Sequence, residues 1–142
     1  MVETNGRNFD LLTLGQVLLR LSPPDNERLS RGDTFVKQVG GAELNVAVGA
    51  ALLGLHTGVI SKLPAHDIGS FMKGKIRSFG VSDDFFMYDQ SSAARVGIYY
   101  YENGAYPRKP KVIYDRNHSS FFSLDIDEIP EEVYTASKCF HT

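Results

Sequence analysis

Gly40-Gly41-Ala42-Glu43-Leu44-Asn45-Val46-Ala47 follows a strand-like stretch, Thr34-Phe35-Val36-Lys37-Gln38-Val39. Two adjacent glycines put bare backbone where the chain turns from strand to helix. Glycine accepts dihedrals closed to other residues and lets another molecule's atoms approach the main chain. The helix beyond it offers free N–H groups in its first turn, suited to polar or anionic ligands. The same pair also serves a plain strand-to-helix turn, and the residues alone leave both readings open. Other familiar chemistry has no counterpart in the sequence. No Gly-x-Gly-x-x-Gly, Gly-x-x-x-x-Gly-Lys-Ser/Thr or Gly-x-Ser-x-Gly occurs. His56, His66, His118 and His141 are scattered, and none pairs with Cys139 at a zinc-like spacing, so no metal site is expected.

Residues 1–8 are polar and expected to fray. Residues 9–14 read as a buried strand that the chain leaves at Gly15, and Pro23-Pro24-Asp25-Asn26 as a loop. A second strand is predicted at 34–39 and a mostly buried helix at 42–53. Ala42, Ala47, Gly49, Ala50 and Ala51 would let that helix pack closely on a sheet, with the next strand at 58–62. Residues 67–79 give the clearest amphipathic helix. Ile68, Phe71, Met72, Ile76 and Phe79 repeat at helical spacing, while Lys73, Lys75, Arg77 and Ser78 make a solvated face. Asp67 is the expected cap and Gly80 the stop. Alternating strands and helices imply a parallel α/β sheet. From 94 to 116 the rhythm changes: Arg95–Tyr101 and Lys111–Arg116 read as a hairpin around a Gly/Pro-containing connection. A short helix near 130–136 follows, and Lys138–Thr142 reads as the start of another buried strand.

The chain has 142 residues, 42% hydrophobic and 23% charged, a balance that suits one globular domain rather than a disordered chain. A net charge of −2 gives no electrostatic reason to expect a nucleic acid or anionic membrane as partner. The apolar run Leu11–Leu19 is broken by Gly15 and Gln16 and is too short to span a bilayer. A single cysteine, Cys139, excludes an internal disulfide and fits a reducing cytoplasm.

Gly15 after the first strand, Val39-Gly40-Gly41-Ala42-x-x-Asn45-x-Ala47, Leu52-Leu53-Gly54, Asp67-x-Gly69 and Gly80-Val81 together resemble the N-terminal half of a PfkB/ribokinase-family sugar kinase. Within that family, Leu19-Arg20-Leu21-Ser22-Pro23 and the downstream tyrosines most resemble 2-keto-3-deoxygluconate kinases. The resemblance implies a ribokinase-like α/β fold: a parallel sheet with flanking helices, plus a small β-sheet lid from strands at 34–39 and 94–116. It also implies ATP-dependent phosphorylation, with Mg2+, of a sugar or sugar acid, foremost 2-keto-3-deoxygluconate. Fructokinase or ribokinase activity is the alternative inside the family, and a non-catalytic sugar-binding or regulatory module the alternative outside it.

Five positions inherit a substrate-binding expectation from the resemblance: Gly41, Asn45, Tyr99, Tyr114 and Arg116. Gly41 would present its main chain. Asn45 would hydrogen-bond through its amide, with a buried structural amide as the competing reading. Gly97-Ile98-Tyr99 and Tyr114-Asp115-Arg116 match the lid strands that line the sugar-acid site in 2-keto-3-deoxygluconate kinases. Their chemistry agrees, since arginine grips a carboxylate in a charge-assisted bidentate pair. Tyr114 and Arg116, two apart on a strand, share a face. An aromatic-rich sheet with an exposed arginine is the plainer alternative. Gln16 departs from the pattern, because many relatives carry an acidic residue there. The family's catalytic Asp and its Gly-Ala-Gly-Asp anion hole are expected beyond Thr142, so no catalytic residue and no ATP or Mg2+ motif is assigned to this chain. Residues 1–142 are accordingly expected to be an incomplete domain, its C-terminal half missing and inactive alone. Its partner would be a small sugar or sugar acid, not nucleic acid or membrane, with a homo-oligomer through the lid left open.

Overall fold

Residues 8–142 are described in the computed structural model, and the fraying expected of residues 1–7 lies outside them. In chain order the elements are β1 (Phe9–Leu14), β2 (Leu18–Ser22), β3 (Val36–Gly40), α1 (Ala42–Leu52), β4 (Thr57–Pro64), α2 (Asp67–Ser78), β5 (Val81–Ser82), β6 (Phe86–Asp89), β7 (Gly97–Glu102), β8 (Lys111–Asp115) and β9 (Ser137–His141). They form two sheets. The larger runs β5-β4-β1-β9, with β6 also on β4, and every pairing in it is parallel.

Parallel strands are covered on both faces, so consecutive side chains enter opposite cores. Val59 belongs to the core that also holds Leu44 and Ala47 of α1 and Met72 and Ile76 of α2, whereas its neighbour Ile60 belongs to the core with Phe9, Leu12, Phe85 and Val133. Both are fully buried. The expected ribokinase-like α/β arrangement of parallel sheet and flanking helices is the one observed. Among the described residues no helix is long and apolar enough to cross a membrane.

The smaller sheet runs β3-β2-β7-β8. β7 and β8 form the anticipated antiparallel hairpin, and β3 joins through β2, which lies antiparallel to β3 but parallel to β7. β2 was not anticipated. The run Leu11–Leu19 is in fact parts of two strands in two sheets, separated at Gly15-Gln16-Val17. The strand expected at 34–39 lies at Val36–Gly40, and β6 also escaped the sequence reading.

Other expectations need correction. Of α1, only Leu44 and Ala47 are buried, and Leu52 is 78% exposed. Apart from Glu43 and Asn45 that helix is built of small and apolar residues, so periodicity could not show which face the sheet would cover. His66, not Asp67, caps α2: its backbone is extended and its ring accepts from the Gly69 N–H. Asp67 instead begins the helix, where a negative charge suits the positive end of the dipole. The helix expected at 130–136 is a short 3-10 turn, Glu131–Tyr134. β9 is a strand as expected, but Lys138, Cys139 and Phe140 are exposed rather than buried.

Candidate functional site

The β3–α1 junction is made by Gly41, whose φ of 138° and ψ of 141° lie where side chains are rarely tolerated. Space is restricted too, since a Cβ there would stand 2.6 Å from the backbone oxygen of Gln16. Asn45 follows on the first turn of α1, and its N–H donates to the Gly41 carbonyl at 2.9 Å. Asn45 is exposed, which overturns the buried-amide reading.

The smaller sheet supplies the facing wall. Register places Tyr99 opposite both Arg20 on β2 and Tyr114 on β8, so the three side chains share one face. The rings of Tyr99 and Tyr114 lie 6.0 Å apart, tilted by 36°. Gly40 has no side chain where the Tyr99 hydroxyl sits. Just beyond β8, the Arg116 guanidinium lies 5.2 Å from the centre of the Tyr114 ring. Asp115 points to the other face and is bonded to Arg95 at 2.9 Å. Among the described residues Arg116 enters no ion pair.

Between these walls is a cleft of about 290 Å³, lined by Leu18, Gly41, Ala42, Asn45, Tyr99, Tyr114 and Arg116. All five sequence-selected positions thus meet around one space, although they come from three separate parts of the chain. Leu18 and Ala42 were not selected, and neither offers a polar group that sequence reasoning could have noticed. Arg20 was also passed over as a functional residue. Its guanidinium lies 4.2 Å over the Tyr101 ring, and its Nε donates to Ser22 Oγ at 2.9 Å. Recognising 18–22 as a strand would have placed it beside Tyr99.

Burial pushes the Tyr99 hydroxyl above the usual tyrosine range, partly opposed by the nearby Arg20 charge. Tyr99 therefore stays neutral at physiological pH and can both donate and accept. A cleft with an unpaired guanidinium, two tyrosine hydroxyls and an exposed carboxamide can pair with an anionic group and hydrogen-bond to hydroxyls. Among the described residues no cluster of three or more His, Cys, Asp or Glu could hold a metal ion.

The chain is similar to several proteins of known name. It is 35% identical over 133 residues to the 2-dehydro-3-deoxygalactonokinase of Haloferax volcanii, covering 94% of this chain and 41% of that protein. It is 30% identical over 139 residues to 5-dehydro-2-deoxygluconokinase 1 of Bacillus cereus, with 97% and 41% covered. Among solved structures, the 2-dehydro-3-deoxygluconokinase of Thermotoga maritima superposes with a TM-score of 0.87 at 37% identity, over 94% of this chain and 40% of that one. The chain thus spans about 41% of the length of these curated relatives. Residues 8–141 match the family described as pfkB family carbohydrate kinase, and the chain belongs to that family.

Proposed function

We propose that this segment is the sugar-holding part of a kinase that transfers the γ-phosphoryl group of ATP to a sugar acid, 2-keto-3-deoxygluconate or a close relative of it. The observation that carries the reading is Arg116, a guanidinium without a carboxylate partner at the rim of a cleft otherwise lined by neutral groups. A neutral sugar would leave that charge unanswered, whereas an aldonate carboxylate accepts from it bidentately. Relatives named for dehydro-deoxy derivatives of gluconate and galactonate support the same class.

In this reading Arg116 holds the carboxylate, while Tyr99 and Tyr114 bond hydroxyl or carbonyl oxygens and wall the sugar with their rings. Asn45 reaches a hydroxyl through its amide. Gly41 keeps the wall thin enough for the sugar to lie against the main chain. The smaller sheet acts as a lid, and its work is orientation and exclusion of water. Proton abstraction and charge stabilisation on the transferred phosphoryl are assigned to no residue of this segment, nor are ATP and Mg2+.

The test is a coupled kinase assay on the complete protein, comparing 2-keto-3-deoxygluconate, its galactonate epimer and fructose. Higher kcat/KM for either acid than for fructose is expected. A preference for fructose would leave the family intact and sink the sugar-acid assignment. Tyr99→Phe should raise the sugar-acid KM only about twofold to tenfold, because one neutral hydrogen bond is lost and the ring remains. A larger loss, accompanied by a fall in kcat, would mean that the hydroxyl does more than hold the substrate.

A further inference from the structure

We propose that Gln16 is a positioning residue that fixes Arg116 in the cleft by tying the segment after β8 to the core sheet, an inference that rests on the substrate class proposed above. The side-chain amide Nε2 of Gln16 donates to Ser119 Oγ at 2.6 Å and to the Arg116 carbonyl oxygen at 3.3 Å. Both acceptors belong to the short segment that carries Arg116 from β8 into the 3-10 turn at Ser120–Ser123. An NH2 group has one hydrogen for each of them.

The other end of the tie is rigid. Gly15, the residue before Gln16, donates its N–H to the Ile60 carbonyl at 3.2 Å and accepts from the buried Ser61 hydroxyl at 2.8 Å. The carbonyl of Gln16 packs against Gly41, where no side chain intervenes. Its amide lies over Gly97, at which a Cβ would come within 2.5 Å of Nε2. Gln16 therefore touches the elements that build three sides of the cleft. Ser119 is buried, and the next residue, Ser120, is held separately by Asp89 at 2.8 Å. With Gln16 pulling from the β1–β2 connection and Asp89 from β6, the backbone beneath Arg116 has little freedom to drift.

A carboxylate at this position would do a different job. It has no hydrogen to give the Arg116 carbonyl, would set its negative charge against the partial negative of that oxygen, and would compete for the guanidinium itself. Gln16→Ala and Gln16→Glu should therefore both raise the sugar-acid KM about threefold to tenfold, with kcat and the ATP KM unchanged. Combining Gln16→Ala with Arg116→Ala should add nothing to the effect of Arg116→Ala alone, because the two act through one group. Amide hydrogen exchange at residues 117–120 of the ligand-free protein should quicken about twofold to tenfold in Gln16→Ala. Unchanged exchange would overturn the tie whatever the substrate proves to be. Faster exchange with additive KM effects would overturn the positioning role. So would a Gln16→Glu variant that binds the sugar acid better than the native protein. If the native protein ignores sugar acids while exchange still quickens, the substrate reading fails and the proposed role toward a carboxylate fails with it, leaving only the tie.

Discussion

Replacing Arg116 by alanine is expected to raise the KM for 2-keto-3-deoxygluconate by on the order of tenfold to a hundredfold, while the KM for ATP stays where it was. A charge-assisted hydrogen bond is worth roughly 1.5–3 kcal/mol, which converts to that range of affinity. The guanidinium lies on the Tyr114 ring and has no ion pair among the described residues, so its removal leaves no protein carboxylate stranded. Folding stability should accordingly change little, since Arg116 is exposed. Arg116→Lys is the sharper control. It keeps the charge but not the planar fork, and should recover only part of the affinity. Steady-state kinetics with both substrates varied provides the check. An unchanged sugar-acid KM in Arg116→Ala would remove the carboxylate anchor and with it the substrate class.

The second large effect is expected from the smallest change. Gly41→Ala places a methyl group 2.6 Å from a main-chain oxygen of Gln16 and asks alanine to adopt a φ of 138°. Backbone strain of this kind costs about 1–3 kcal/mol, and an overpacked contact about the same again. The contact is with backbone rather than with the end of a flexible side chain, so relief requires moving the β1–β2 connection or tilting α1. The sum, on the order of 2–6 kcal/mol, should appear as a lower unfolding midpoint in denaturant with an unchanged slope. Because Gly41 also lines the cleft, whatever folded protein remains should bind sugar poorly. Wild-type stability in Gly41→Ala would show that the connection yields freely and that the glycine is needed for something other than space.

The Gly40-Gly41 turn, the amphipathic α2 and the β7–β8 hairpin were legible because each is a local statement. Two glycines mark a backbone need, a period of 3.6 marks a half-buried helix, and two β-rich runs around a Gly/Pro connection mark a hairpin. The five cleft residues were legible only through resemblance, since nothing local brings Tyr99 and Gly41 together. What escaped was decided by tertiary context. Leu18–Ser22 continues the hydrophobicity of β1, and only the separation into two sheets reveals it as a different strand. α1 is small or apolar apart from Glu43 and Asn45, so the exposed Leu52 and the C-capping Leu53 could not be told from the buried Leu44. The buried Glu102 looks anomalous in sequence, yet it receives the Leu29 N–H at 2.8 Å and lies 3.2 Å from Arg108, partners that sit far from it or across a loop. Gln16 was visible only as a departure from its relatives. Its hydrogen bonds reach a hundred positions along the chain, beyond any local signal.

The parallel pairing of β2 with β7 also bears on when the cleft can exist during folding. Leu18 cannot meet Gly97 until the whole intervening stretch, β3 through β6, has emerged and been gathered in. Closing so long a loop carries an entropic cost that the local β7–β8 hairpin does not face, and contacts of that separation are slow to form. On a ribosome, moreover, the glycine turn and α1 are made well before the tyrosines that will face them. One wall of the cleft is therefore synthesised early and waits, exposed, for the other.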